Sequence, residues 1–162
     1  MNAYGYTSLI SEITYWDELV NFAENGDIVW FDNSLTYLVD TYKADYIDVY
    51  NIDNKFVAKA SSTLINSKDF IPKEVFPILY KEKHIKFYVK IPEGIAFVFG
   101  ATIHPSEDPY KNKTKPRGYF FMVKLMNDKY FQNLESISNS SAEYLVPGKN
   151  FIEKKGFITT RI

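Results

Sequence analysis

Cysteine is absent from the 162-residue chain. That excludes disulfides, thiolate metal sites and cysteine nucleophiles, and it leaves the redox compartment open. Histidine is nearly absent: His84 and His104 are the whole supply, far apart in sequence, so no histidine-built metal site and no cofactor are expected. A surplus of charge is missing too. The formal net charge is −1, which gives no field for nucleic acid or for an anionic membrane surface. No apolar run reaches the roughly 18 residues of a membrane span, and the opening MNAYGYTS has no signal-peptide pattern. No glycine-rich phosphate loop, Ser-His-Asp set or metal-spaced cluster occurs. The adjacent acids Glu107 and Asp108 share a loop expected to be mobile, where acid–base geometry cannot be held. An enzyme is not expected.

What is present is aromatic and β-prone. Aromatic residues make up 17 %, with 13 Tyr and 13 Phe, suited either to a Tyr-rich strand surface or to an aromatic-walled small-molecule pocket. The length suits one domain, residues 1–162. Residues 85–125 organise it. Ile85, Phe87, Val89 and Ile91 alternate with Lys86, Tyr88 and Lys90. Residues 95–101 are apolar at both parities. Tyr119, Phe121, Val123 and Leu125 alternate with Phe120, Met122 and Lys124. Period two predicts three strands of an antiparallel meander with a well-covered centre.

Before the meander, Leu9, Ile13, Trp16, Val20 and Ala23 predict one long helix over residues 8–25, with Ser8 as N-cap and Gly26 as stop. Residues 27–32 read as a connection, and residues 33–42 as a short helix capped by Asp32. Two β-rich runs, 46–52 and 55–60, flank Asp53-Asn54, a hairpin signal. Pro72 opens a helix that Pro77 is expected to kink. After the meander come a helix over 129–138 and strand-like pieces at 143–146 and 156–162. The chain stops on FITTRI, mid-strand by its pattern, and reads as an excised fragment. The fold expected is α+β, PAS-like, with the long N-terminal helix packed across one sheet face.

This order of elements resembles an extracytoplasmic sensor domain of the Cache superfamily, closest to the fourth class of CHASE domains. The residues that carry the resemblance are Tyr15-Trp16-Asp17, Trp30 with Leu35, ADYIDVYNIDNKFVAKAS and RGYFFMVKLMNDKYFQNL. It spans about residues 12–134. One departure is Asn54, where the family's turn has glycine after the aspartate; asparagine also accepts positive φ. The resemblance implies a receptor fragment cut from between two membrane spans, periplasmic or outside the cell. A histidine kinase, diguanylate cyclase or chemotaxis transducer would lie inside. It also implies a homodimer in the full-length receptor, and a small ligand such as an organic acid or amino acid.

Within that frame Trp16, Asp17 and Trp30 are the family marks; Trp16 and Asp17 either pack and pair locally or reach the ligand. Arg117 is either a bidentate clamp for a carboxylate or a solvated loop cation. Tyr88, Phe97, Phe99 and Tyr119 form either one aromatic wall or ordinary core. Gly100 marks a close approach by the first helix or by a ligand. His104 is either a surface residue or a pH-sensitive contact. The function expected is small-molecule sensing. The alternative is a structural or dimerisation domain whose core is filled by its own aromatics.

Overall fold

The computed structural model describes residues 3–127 and 157–159. Its elements run α1 (Ala3–Ile13), α2 (Asp17–Asn25), α3 (Ile28–Ser34), α4 (Tyr37–Thr41), β1 (Tyr46–Asn51), β2 (Phe56–Ser61), α5 (Val75–Glu82), β3 (His84–Ile91), β4 (Gly94–Ile103), β5 (Gly118–Met126) and β6 (Phe157–Thr159). The strands form one sheet in the order β2-β1-β5-β4-β3-β6. The first five pair antiparallel, and β6 pairs parallel to β3. The architecture is the α+β layout with an antiparallel sheet that the patterns predict. The segments expected at 129–138 and 143–146 lie outside the described residues.

The meander follows from alternation. Ile85, Phe87, Val89 and Ile91 of β3 are buried on one face, and β4 and β5 are buried on both. The β1–β2 hairpin closes as its turn residues require. Asn51 Oδ1 accepts from the amides of Asp53 (2.9 Å) and Lys55 (3.0 Å), and Asn54 takes φ +63°, a conformation asparagine tolerates.

Two apolar layers cover the sheet. On the first face, α1 packs over β4 and β5 and α2 over β1 and β5. Tyr6, Ile10, Phe22, Phe31 and Leu35 meet Ile47, Val49, Phe99, Phe120 and Met122 there. On the second face, α5 packs over β3 and β4. A strap of irregular chain, residues 62–74, runs between β2 and α5 and contributes Ile65, Phe70 and Ile71 to that core. Among the described residues no helix is long and apolar enough to cross a membrane.

The helical segments depart from expectation in several places, among them the helix expected over 33–42, which is the end of α3 and then α4, and the helix expected to open at Pro72, which starts at Val75. The single helix over 8–25 is two helices. The Thr14 carbonyl would take the amide of residue 18 in an unbroken helix, but it accepts instead from His104 N (2.9 Å). Ser8 therefore lies inside α1, and the extended Trp16 (φ −86°, ψ 132°) starts α2. The stop at Gly26 holds, with φ +69° and its amide on Phe22 O, the left-handed cap glycine favours. Residues 27–32 are mostly helix, because Asp27, not Asp32, is the cap: its carboxylate accepts from Val29 N (3.1 Å) and Trp30 N (3.2 Å). Pro77 neither kinks nor divides α5. It is the third residue of that helix, where a missing amide hydrogen has no intrahelical partner to lose.

Gly100 is crowded by neighbouring strands, not by α1. A Cβ there would come within 2.7 Å of the Phe121 ring and 2.8 Å of Ile85 Cγ2. Gly100→Ala is therefore expected to destabilise the domain by about 1–3 kcal/mol, as overpacked cores do. A urea midpoint equal to that of the wild type would disprove the crowding.

Candidate functional site

The expected aromatic wall does not form on one face. Phe99 on β4 lies opposite Met122 and Phe97 opposite Lys124, so both face the α1 side. Phe97 stacks on Tyr88 at 4.7 Å and contacts Phe99 at 4.6 Å. Tyr119 lies in the other core, against Phe76 at 5.1 Å. Directly opposite residues of an antiparallel pair share a face, and this register puts Tyr119 behind the sheet from Phe97 and Phe99. Arg117 is half-exposed at the start of β5 and pairs with Glu24 of α2; any carboxylate clamped by it would have to displace Glu24.

Two of the family marks, Trp16 and Asp17, sit where α1 gives way to α2, and the third, Trp30, lies on α3. Trp16 is half-buried against the first core. Asp17 accepts from Ser106 N (2.8 Å) and Ser106 Oγ (2.7 Å), tying α2 to the 104–117 loop. Trp30 contacts Phe22 at 5.4 Å and borders an open groove of about 210 Å³ with Glu18, Asn21, Asn25 and Asp27.

That loop is neither exposed nor loose at its root. Asp108 is buried and accepts from the amides of Asn112 (3.0 Å), Lys113 (3.1 Å) and Thr114 (2.8 Å) and from Thr114 Oγ1 (2.7 Å). Burial pushes this carboxyl up, but those four bonds outweigh it and hold the group below the usual carboxylate range. His104, expected at the surface, is buried too. Its ring lies between Thr102 Oγ1 (2.9 Å) and Thr114 Oγ1 (3.0 Å), with Asp108 Oδ2 at 3.3 Å. Burial and then the charge of Lys111 lower its pKa to about 4. Lys111 is also buried, and its ammonium donates to Thr14 Oγ1 (2.6 Å) and to the Thr102 carbonyl. One network thus bolts the α1–α2 break to the end of β4.

The second face holds a different polar group, which pattern reading missed. Asp48 is fully buried on β1 between Tyr46 and Tyr50. Tyr46 OH donates to its Oδ2 at 2.8 Å, while its Oδ1 has no hydrogen-bond partner. Burial raises its pKa well above the ordinary value, against the pull of the hydroxyls of Tyr46 and Tyr50 and of the Lys59 charge. Burial, then the Asp48 charge, raises both tyrosines as well. Lys59 lies directly across from Asp48 on β2. Its ammonium turns instead to the strap carbonyls of Asn66 (3.2 Å) and Ser67 (3.3 Å). Tyr50 OH donates to Asp69 Oδ1 (3.0 Å), an exposed residue at the strap's rim. The sequence signal was there: a lone acid at inward parity inside YIDVY. Among the described residues no group of His, Asp or Glu is arranged to hold a metal ion.

A family model described as "CHASE4 domain" matches residues 5–145 of the chain. A search of curated proteins finds no match.

The buried lysine gives the domain a pH signature. Burial lowers the pKa of Lys111 from 10.5 to about 7, with Asp108 opposing the shift and Lys83 adding to it. Between those values the unfolded chain binds the extra proton, so stability rises with pH from about 7 towards 10. The slope is at most about 1.4 kcal/mol per pH unit for one proton. Denaturation midpoints at pH 7, 8 and 9 are expected to climb in the wild type and to stay level in Lys111→Met. A level wild-type profile would disprove the assignment.

Proposed function

The chain belongs to the CHASE4 domain family, and we propose from that premise that it is the ligand-binding unit of a membrane receptor. CHASE4 is a sensory, not a catalytic, domain of signalling receptors, and CHASE domains lie outside the cytoplasm. The finer reading is a small molecule bound on the second sheet face, beneath the strap. Its binding shifts the balance between two arrangements of the covering segments, and a kinase, cyclase or chemotaxis output inside the cell responds.

The observation that carries this reading is Asp48 Oδ1, a buried oxygen without a partner. An unsatisfied buried polar atom costs about 1–3 kcal/mol, and such costs persist where function requires them. The strap above it has no regular structure, anchors Ile65, Phe70 and Ile71 in the core, and is held at its rim by polar contacts. Glu93 accepts from Asn66 N (3.0 Å), Ser67 N (2.9 Å) and Ser67 Oγ. A competing reading, a structural or dimerisation domain with a self-filled core, draws on the complete burial of Tyr46, Phe87 and Phe121 on the same face.

A thermal-shift screen of amines, amino acids, organic acids and sugars separates the two. At a hundredfold excess over its Kd, a ligand adds about 2.7 kcal/mol of stability, which is several degrees in a chain of this size. Silence from every class would favour the self-filled domain.

A further inference from the structure

We propose, resting on the sensory reading above, that Asp48 is the recognition group for the ammonium of a small primary amine, an amino acid included, and that residues 62–74 are the lid over it. The need for a cation comes from the chain's own arrangement. Asp48 Oδ1 is buried and unpartnered, and the lysine placed across from it by strand register is bonded to the lid. When the lid is closed, Lys59 therefore holds the lid and makes no hydrogen bond to Asp48.

The walls fit the same ligand. Tyr46, Tyr50 and Phe121 share the face with Asp48, and Phe56, Phe70 and Phe76 pack on the two tyrosines at 4.7–5.7 Å. Aromatic faces attract an ammonium, more so when it is desolvated. A carboxylate ligand would meet Asp69 at the rim, which repels it, and could form no ion pair with Asp48. An ammonium offers three donors, one of which satisfies Oδ1.

The route in runs past the rim. The Tyr50–Asp69 bond ties the aromatic wall beside Asp48 to exposed chain, and Asp69 itself sits at φ +52°. Other ties of the lid are the Glu93 and Lys59 bonds, which water can replace, the Ser62 amide on the Asp45 carbonyl, and the apolar anchors Ile65, Phe70 and Ile71.

Proton balance follows from the chemistry. Burial disfavours the ionised form, and on this proposal the Asp48 carboxyl carries its proton while the lid is closed. An arriving ammonium makes the carboxylate the better partner, so the carboxyl proton leaves to solvent as the ion pair forms. One proton is released for each ligand bound.

The test is calorimetry on the 162-residue chain at pH 6, in two buffers of unlike ionisation enthalpy. The probes are n-propylamine, ethanolamine and glycine, each beside a counterpart without the amine: n-propanol, ethylene glycol and glycolate. At least one amine is expected to bind at least 100-fold more tightly than its counterpart, with one proton released. Asp48→Asn is expected to weaken that binding by at least 100-fold. Asp48→Leu is expected to abolish binding, since it removes the carboxyl. Equal binding of amine and counterpart, binding that survives Asp48→Asn or Asp48→Leu, or binding without proton release would each overturn the proposal. Amine silence alongside a hit from another class overturns the amine and leaves the sensor; silence from every class overturns both.

Discussion

A sheet buried on both sides is the constraint that shapes this molecule. Residues 118–123 of β5 have no exposed member, and β4 is nearly as dry. One covering layer cannot satisfy such a sheet, so the chain supplies two from different places. The N-terminal helices cover one face, and the β2–β3 connection covers the other. The two layers differ in kind. The first is helical, with its break fixed by long-range hydrogen bonds. The second is half helix and half irregular strap, and the strap lies over Asp48 Oδ1, the one buried side-chain polar atom left without a partner among the described residues.

Much of the fold was legible because its determinants are local. Strand alternation fixed the meander. The Asp53-Asn54 turn fixed the hairpin, and Gly26 ended a helix where it was read to end. What was not legible depended on distant partners. Nothing near Thr14 announces that its carbonyl will serve His104, ninety residues on. The apolar spacing from Leu9 to Ala23 is compatible with an unbroken helix, and only the loop breaks it. Tyr119 was grouped with Phe97 and Phe99 because parity within a strand is visible, whereas register between strands is not. The pairing of Phe99 with Met122 decides the faces.

The candidate site was less legible than the fold. Arg117 stood out as a permanent cation, but Glu24 neutralises it at the surface. Asp48 was passed over because a single acid in an apolar strand looks like noise until its burial is known. Lys111 and His104 looked like ordinary loop residues. Their burial follows from the root of the loop folding inwards around Asp108, whose four acceptor contacts come from residues four to six positions ahead. Polar residues in a loop can thus form its hard centre, and composition alone does not tell that apart from a solvated tether.

The pairing of β1 with β5 sets the order in which the chain can assemble. Tyr46 meets Val123 and Asn51 meets Gly118, contacts about 70 residues apart in sequence. Hairpins form in microseconds, but long-range strand pairing waits on loop closure and is slow. The β1–β2 hairpin can therefore form early and then wait, its β1 edge bare, until β5 has been made and has joined β4. A ribosome delivers residue 123 only seconds after residue 46 at ordinary synthesis rates. For that interval the nascent hairpin is an unpaired edge of the kind that invites wrong partners.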